Sequence, residues 1–402
     1  MLVSTPLRNT PSVQRLIQIW TQRYTPNLST SDLPNSKVLL SELVEASTPE
    51  GRAITATKLD NTLIGIKCQM AELQAQSLYT YIPNIVNLSE SKQLAHFAFL
   101  IYQELGRFYR KPHLSSPSLY PVISPEKLDS LSSWGMPSID KLAIVLEPLF
   151  LEFQSQHIAA KNWRTLGFIT TLLNFSNQLI LSKLLESRLK SRRLTTAEQI
   201  LISPYFKFIE EQVALPYQRV CAAAAHHEIG TPALTLVEQM LPQSAEIART
   251  VYSRLVQHLP HHRSRRGGLN DAGITHSCVR DLEMFQAYLW LCILEGSLVP
   301  IEQELVDLCV MVMTGVEVKW EMTELWNKLL AEELLARVKP EQKSLLRPYT
   351  EGLQQAFLKQ RDYFFIPADA TSKAASLKGQ NPSELPSQRS FYFPSQYRQP
   401  SR

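Results

Sequence analysis

The chain has 402 residues with 44% hydrophobic and 19% charged side chains, the balance of an ordinary water-exposed protein with room for more than one folding unit. Forty-one basic residues against 37 acidic give a net charge of +4, too small an excess to mark a nucleic-acid binder. Five cysteines, Cys68, Cys221, Cys278, Cys292 and Cys309, are scattered without a C-x-x-C pair, which argues for free thiols in a reducing compartment and against a disulfide framework or a zinc finger. The N-terminus carries no signal-peptide core, and no apolar run of about 18 residues is free of charge, so a cytoplasmic protein without a transmembrane segment is expected. Only 13 glycines and few alternating β-branched runs leave little from which to build a sheet.

In chain order, apolar residues recur at helical spacing over Val13 to Tyr24, over Val38 to Val44 and, in a longer pattern, over Arg52 to Tyr81. Gln93 to Tyr109 is an amphipathic helix with Leu94, Phe97, Leu100 and Leu105 on its apolar side. Five prolines between Pro112 and Pro137 predict an irregular, Pro/Ser-rich connection. Helix is expected again from Ser138, with Ile139 to Gln156 and Trp163 to Leu189 apolar around most of their circumference, as in a bundle core.

Thr195-Thr196-Ala-Glu198-Gln199 is a capping box and a natural domain start, and Ser203-Pro204 reads as a second N-cap. A helix from Tyr205 to Ala225 breaks at Pro216, and one or two helices cover Ala233 to Leu259. A polar loop over Pro260 to Gly273 then holds His261, His262, Arg263, Arg265 and Arg266. Helices follow over His276 to Gly296, Ile301 to Thr314 and Trp320 to Val338, with a terminal one within 346–366. The tail 367–402, rich in Ser, Gln, Pro, Lys and Arg, is expected to be disordered.

The residues with the most chemistry are Cys278, Arg280 and Asp281. On a helix, Cys278 and Asp281 share a face and Arg280 flanks it. A thioether at Cys278 would anchor a linear tetrapyrrole, Asp281 would accept from its pyrrole N–H groups and Arg280 would pair with a propionate. Local chemistry alone favours a small core cysteine beside a surface ion pair. His258, His261, His262 and His276 with Cys278 form at best a weak metal pattern, and His226-His227-Glu228 beside Cys221 lacks an oxyanion site. Phosphate-loop, dinucleotide, zincin and nucleophile-elbow motifs are absent.

Around that triad the chain resembles the phycobiliproteins, the globin-like subunits of phycobilisomes. The resemblance rests on Cys278-Val-Arg280-Asp281, the aromatic run Tyr288 to Leu294, Gly296, and Pro300-Ile301-Glu302. Upstream it includes Ala245 to Tyr252 and Pro260, and it spans about 195 to 338. It departs from the family at Met284 and Phe285, where tyrosines are usual, at Gln286 in place of a Leu, and at Ala287 in place of a second Arg.

An all-α protein is expected, with an N-terminal helical domain of unknown role (1–190) and a tail read from the chain's own patterning, and a globin-like domain (195–345) that the resemblance implies. The resemblance implies a cyanobacterial or red-lineage photosynthetic cell and the cytoplasmic face of the thylakoid. It also implies pairing, with a phycobiliprotein or a second copy, through Tyr205, Phe206, Phe208 and Ile209. The favoured function is a non-enzymatic, phycobilisome-related protein that binds or regulates antenna or other photosynthetic components through its phycobiliprotein-like domain, a role that does not require pigment. The alternative is a bilin-bearing light-harvesting or photosensory subunit attached at Cys278, and third comes a bilin lyase or isomerase.

Overall fold

A computed structural model describes residues 10–26, 36–80, 86–111, 131–156, 163–181 and 194–365. Most of the expected irregular connection and all of the expected disordered tail lie outside these residues. Met1–Phe357 form one unit, and a second, Leu358–Arg402, is described only as far as Phe365, where it continues the last helix. The fold is all-α apart from one two-stranded hairpin.

Helix boundaries follow their caps. Helix α1 (Pro11–Thr21) starts at Thr10, whose hydroxyl accepts from Val13 N, and α2 covers Ser36–Ser47. The long pattern after Arg52 divides into α3 (Pro49–Lys58), capped by Thr48, and α4 (Asn61–Leu78), capped by Asp60. Each cap satisfies an N–H that has no partner inside the helix. Helix α5 (Leu88–Arg110) is capped by Asn87, and α6 (Ile139–Gln156) and α7 (Trp163–Leu181) follow.

Helix α8 (Thr196–Ala214) opens on the expected capping box, with Thr195 and Glu198 bonded reciprocally. The expected second N-cap at Ser203-Pro204 does not form, and the helix runs through Pro204. The Ser203 hydroxyl donates to the Gln199 carbonyl at 2.5 Å, and Leu201, Ile202, Tyr205, Phe206, Phe208 and Ile209 are all buried. Burial on several sides outweighs the lost backbone bond at a proline.

The break at Pro216 leads to α9 (Tyr217–Ala224). Then come α10 (Pro232–Met240) and, after a short 3-10 turn, α11 (Ser244–His258). The basic loop is a hairpin, β1 (Arg263–Ser264) against β2 (Gly267–Gly268), with Arg265-Arg266 at its tip. Gly267 adopts φ +137°, a conformation that disfavours any side chain. Helix α12 (Ala272–Glu295) ends on left-handed Gly296. One π-turn (Ile301–Leu305) leads into α13 (Val306–Val316), followed by α14 (Trp320–Arg337) and α15 (Pro340–Phe365).

The helices before and after residue 195 share one core. Helix α8 packs on α2 and α7, α1 packs on α9, and α7 packs on α13. A buried charge cluster reinforces this. Arg23 pairs with Glu283 and lies 3.6 Å from Glu211. Lys207 bridges the same two carboxylates at 3.4 Å. The Tyr24 hydroxyl donates to Glu211 at 2.6 Å and accepts from Trp20 Nε1 at 3.1 Å. Nearer the start of α8, Glu198 also accepts from Lys58 and Thr55 of α3.

The pairing surface expected at Tyr205, Phe206, Phe208 and Ile209 is therefore corrected. All four are 2% exposed or less and packed inside this chain. Tyr205 donates to the Pro137 carbonyl and meets Tyr109 edge-on, Phe206 stacks on Tyr102, and Phe208 packs against Tyr24. Their apolarity is satisfied within the chain, so they offer no surface to a second molecule.

Candidate functional site: the cavity at Cys278

Cys278, Arg280 and Asp281 project from the first turns of α12 onto one cavity of about 170 Å³ that is partly open to solvent. Its apolar wall includes Met284, Phe285, Met313 and Trp326, from α12, α13 and α14. A second wall comes from the N-terminal half: Leu78 and Tyr79 at the end of α4, and Gly167, Thr170 and Thr171 of α7. Tyr79 is fixed there by hydrogen bonds to the Gly167 carbonyl at 3.1 Å and to Thr171 Oγ1 at 2.8 Å. A Cβ on Gly167 would lie 2.9 Å from Met311 Cε, so the missing side chain lets α7 approach α13 this closely.

The three predicted residues share the cavity in an engaged state. Arg280 donates from Nε and Nη2 to Asp281 Oδ1, at 2.9 and 2.6 Å, and from Nη1 to Glu210 Oε1 at 3.2 Å. Asn174 and Asn177 of α7 also donate to Glu210, each at 3.1 Å, and His276 lies 3.4 Å away. Burial pushes the Glu210 carboxyl up, but hydrogen bonds and charge from His276 and Arg280 outweigh it and hold the group at about 2. Arg280, although buried, is kept firmly protonated by Asp281 and Glu210.

Burial pushes the Cys278 thiol up to about 12, and the Asp281 carboxylate adds to the rise; Arg280, Arg266 and Tyr252 only partly oppose it. Such a thiol is a poor nucleophile at neutral pH, because the thiolate is the reacting species.

These dimensions bear on a tetrapyrrole. Pockets that enclose a drug-sized ligand run to about 300–1,000 Å³, whereas a cavity of about 150 Å³ takes a single benzene. The cavity here is of the second scale. Arg280 is already shared between two carboxylates, and Asp281 Oδ1 already accepts two bonds from it. The residues as placed do not fit a whole four-ring chromophore, and no chemistry is routed through one.

The departures from the family divide. Met284 and Phe285 line the cavity. Ala287 and Gln286 are buried, and Gln286 donates to the Ser244 carbonyl at 3.0 Å, tying α12 to α11.

The other candidate clusters have structural partners. His227 Nε2 bonds the Leu294 carbonyl at 2.8 Å, and Cys221 is fully buried with its thiol pushed up to about 12. Among the described residues no group of three or more His, Cys, Asp or Glu is placed to hold a metal ion. None of the helices described is long and apolar enough to cross a membrane.

Sequence reasoning missed Glu210, Tyr79 and Gly167. A signal existed for the first: Glu210-Glu211 follow the apolar run Tyr205-Phe206, Phe208-Ile209 and precede Val213, and two carboxylates among such neighbours require buried partners.

Residues 219–357 match the family model described as Phycobilisome protein, so the C-terminal half carries a phycobilisome-protein domain, globin-like and entirely helical apart from the hairpin. The matched segment runs from within α9 into α15 and includes Cys278, Arg280 and Asp281. No curated protein and no solved structure matches the chain.

Proposed function

We propose that this chain, with its phycobilisome-protein domain, is a non-enzymatic, pigment-free component that associates with phycobiliproteins and helps to assemble or regulate the antenna. In this reading residues 1–190 are a built-in helical adaptor and residues 195–345 the phycobiliprotein-like part. The carrying observation is that the N-terminal helices occupy both surfaces a pigmented subunit would need. They supply a wall of the cavity at Cys278, and they help to bury Tyr205, Phe206, Phe208 and Ile209. Association then uses surfaces other than that face, at the cytoplasmic side of the thylakoid where phycobilisomes sit.

The test is co-sedimentation of the full chain with purified, intact phycobilisomes on a density gradient. The reading expects stoichiometric co-migration that persists when Cys278 is replaced by Ala. A chain that stays at the top of the gradient under conditions that keep phycobilisomes intact refutes it.

A further inference from the structure

Three side chains lining the cavity at Cys278 carry a polar group with no hydrogen-bond or ion-pair partner among the described residues. Trp326 is only 6% exposed, lines the cavity from α14, and its Nε1–H has no acceptor among the described residues. Its ring is fixed edge-on against Phe285 at 5.6 Å, so the indole is held rather than free to turn toward water. A buried N–H without an acceptor is rare because its lost hydration is not replaced.

The second group is Arg266, at the hairpin tip. Its backbone N–H is fixed by Ser264 Oγ at 3.2 Å, and the adjacent Gly267-Gly268 turn is held by Asp271 Oδ2, which accepts from Gly268 N at 2.8 Å. The guanidinium lies 5.9 Å from the Phe175 ring and makes no ion pair among the described residues. Arg280 and Asp281, the other charged groups on the cavity, neutralise each other. His262 also lines it with Nε2 unpartnered, and burial pushes its imidazole pKa down, so it adds no positive charge at neutral pH.

The unsatisfied chemistry is thus one cation, the indole N–H donor and a neutral imidazole nitrogen on a wall of thioethers and aromatic edges, Met284, Met313, Met322 and Phe285. Such a wall suits a flat ring. The volume of about 170 Å³ is on the scale of a single aromatic ring.

We propose that this cavity binds a small planar aromatic carboxylic acid, whose carboxylate pairs with Arg266 and which places an acceptor atom against Trp326 Nε1–H. The site goes beyond the antenna role and does not depend on it, since all its residues belong to the folded chain alone.

The probe is 4-hydroxybenzoate, whose carboxylate is offered to Arg266 and whose phenol oxygen is the acceptor offered to Trp326, titrated calorimetrically into the full chain, with uncharged 4-hydroxybenzamide as its isostere. Saturable binding at one site is expected, stronger for the acid than for the amide. Trp326→Phe keeps an aromatic ring and removes the donor, and should weaken binding about five- to tenfold. Arg266→Gln should abolish the preference for the acid. A measurement on the unmutated protein guards against a folding defect: the indole N–H resonance of Trp326 should move downfield as 4-hydroxybenzoate saturates the site. No saturable binding, equal affinity for acid and amide, or an unmoved Trp326 resonance at saturation would each overturn the proposal.

Discussion

Replacing Arg280 with Met tests the role assigned to the buried ion pair at Glu210. Glu210 has a side chain only 4% exposed, and Arg280 reaches it at 3.2 Å. A carboxyl held at about 2 rather than 4.5 corresponds to about 3 kcal/mol of preference for the anion, at about 1.4 kcal/mol per pH unit. Removing one partner of a buried pair costs about 3–5 kcal/mol. Asn174, Asn177 and His276 remain on the carboxylate, so Arg280→Met should cost about 3 kcal/mol, the lower end of that range.

The double variant Arg280→Met with Glu210→Gln removes both charges and should recover most of that loss. Acid sensitivity supplies the sign. The folded carboxyl titrates below its unfolded value, so its contribution is complete above about pH 4.5 and is lost as pH falls from there toward 2. The protein with Glu210 should therefore lose stability through this window relative to Glu210→Gln. Urea unfolding followed by far-UV circular dichroism, at neutral pH and through the acid range, reads all three effects. A cost below about 1 kcal/mol for Arg280→Met, or a double variant no better than the single one, would refute the argument.

At Gly51, a Cβ would meet the Glu45 carbonyl oxygen at 2.2 Å and Ala46 Cα at 2.8 Å, both backbone atoms that cannot turn aside. Gly51→Ala should therefore force α2 and α3 apart and cost about 1–3 kcal/mol, measured as a lower urea midpoint. At Gly167 the nearest atom is the flexible end of Met311, so Gly167→Ala should cost less than Gly51→Ala in the same assay. Burial pushes Cys68, Cys221, Cys278 and Cys292 up to about 12 and raises Cys309 well above its ordinary value. A disulfide reagent at pH 8 should modify them only slowly in the folded protein and all five rapidly in denaturant; rapid native labelling of Cys278 would contradict its placement.

The start of α8 was legible because capping is local, the Thr195–Glu198 box acting within four residues of its own position, whereas the equally local caps at Thr48, Asp60 and Asn87 were hidden inside or ahead of longer apolar patterns. The shared cavity of Cys278, Arg280 and Asp281 was legible too, since helical spacing alone brings them together. The ion pairs were not legible, because Arg23 meets Glu283 across 260 residues of sequence and no local pattern encodes that contact. Nor was the fate of Tyr205, Phe206, Phe208 and Ile209. Their apolarity announces burial, but the hydrophobic effect has no direction and does not say whether the cover is a second molecule or the chain's own N-terminal half. Pro204 misled for a related reason, as packing on all sides of α8 overrode a local stop signal.

The claim of a pigment-free antenna component is tested most directly at Cys278. The full chain is co-expressed with bilin biosynthesis and a bilin lyase, purified, and run on a denaturing gel stained with zinc for covalently bound tetrapyrrole. The account predicts no fluorescence at the position of the chain. A fluorescent band that disappears in Cys278→Ala would contradict it.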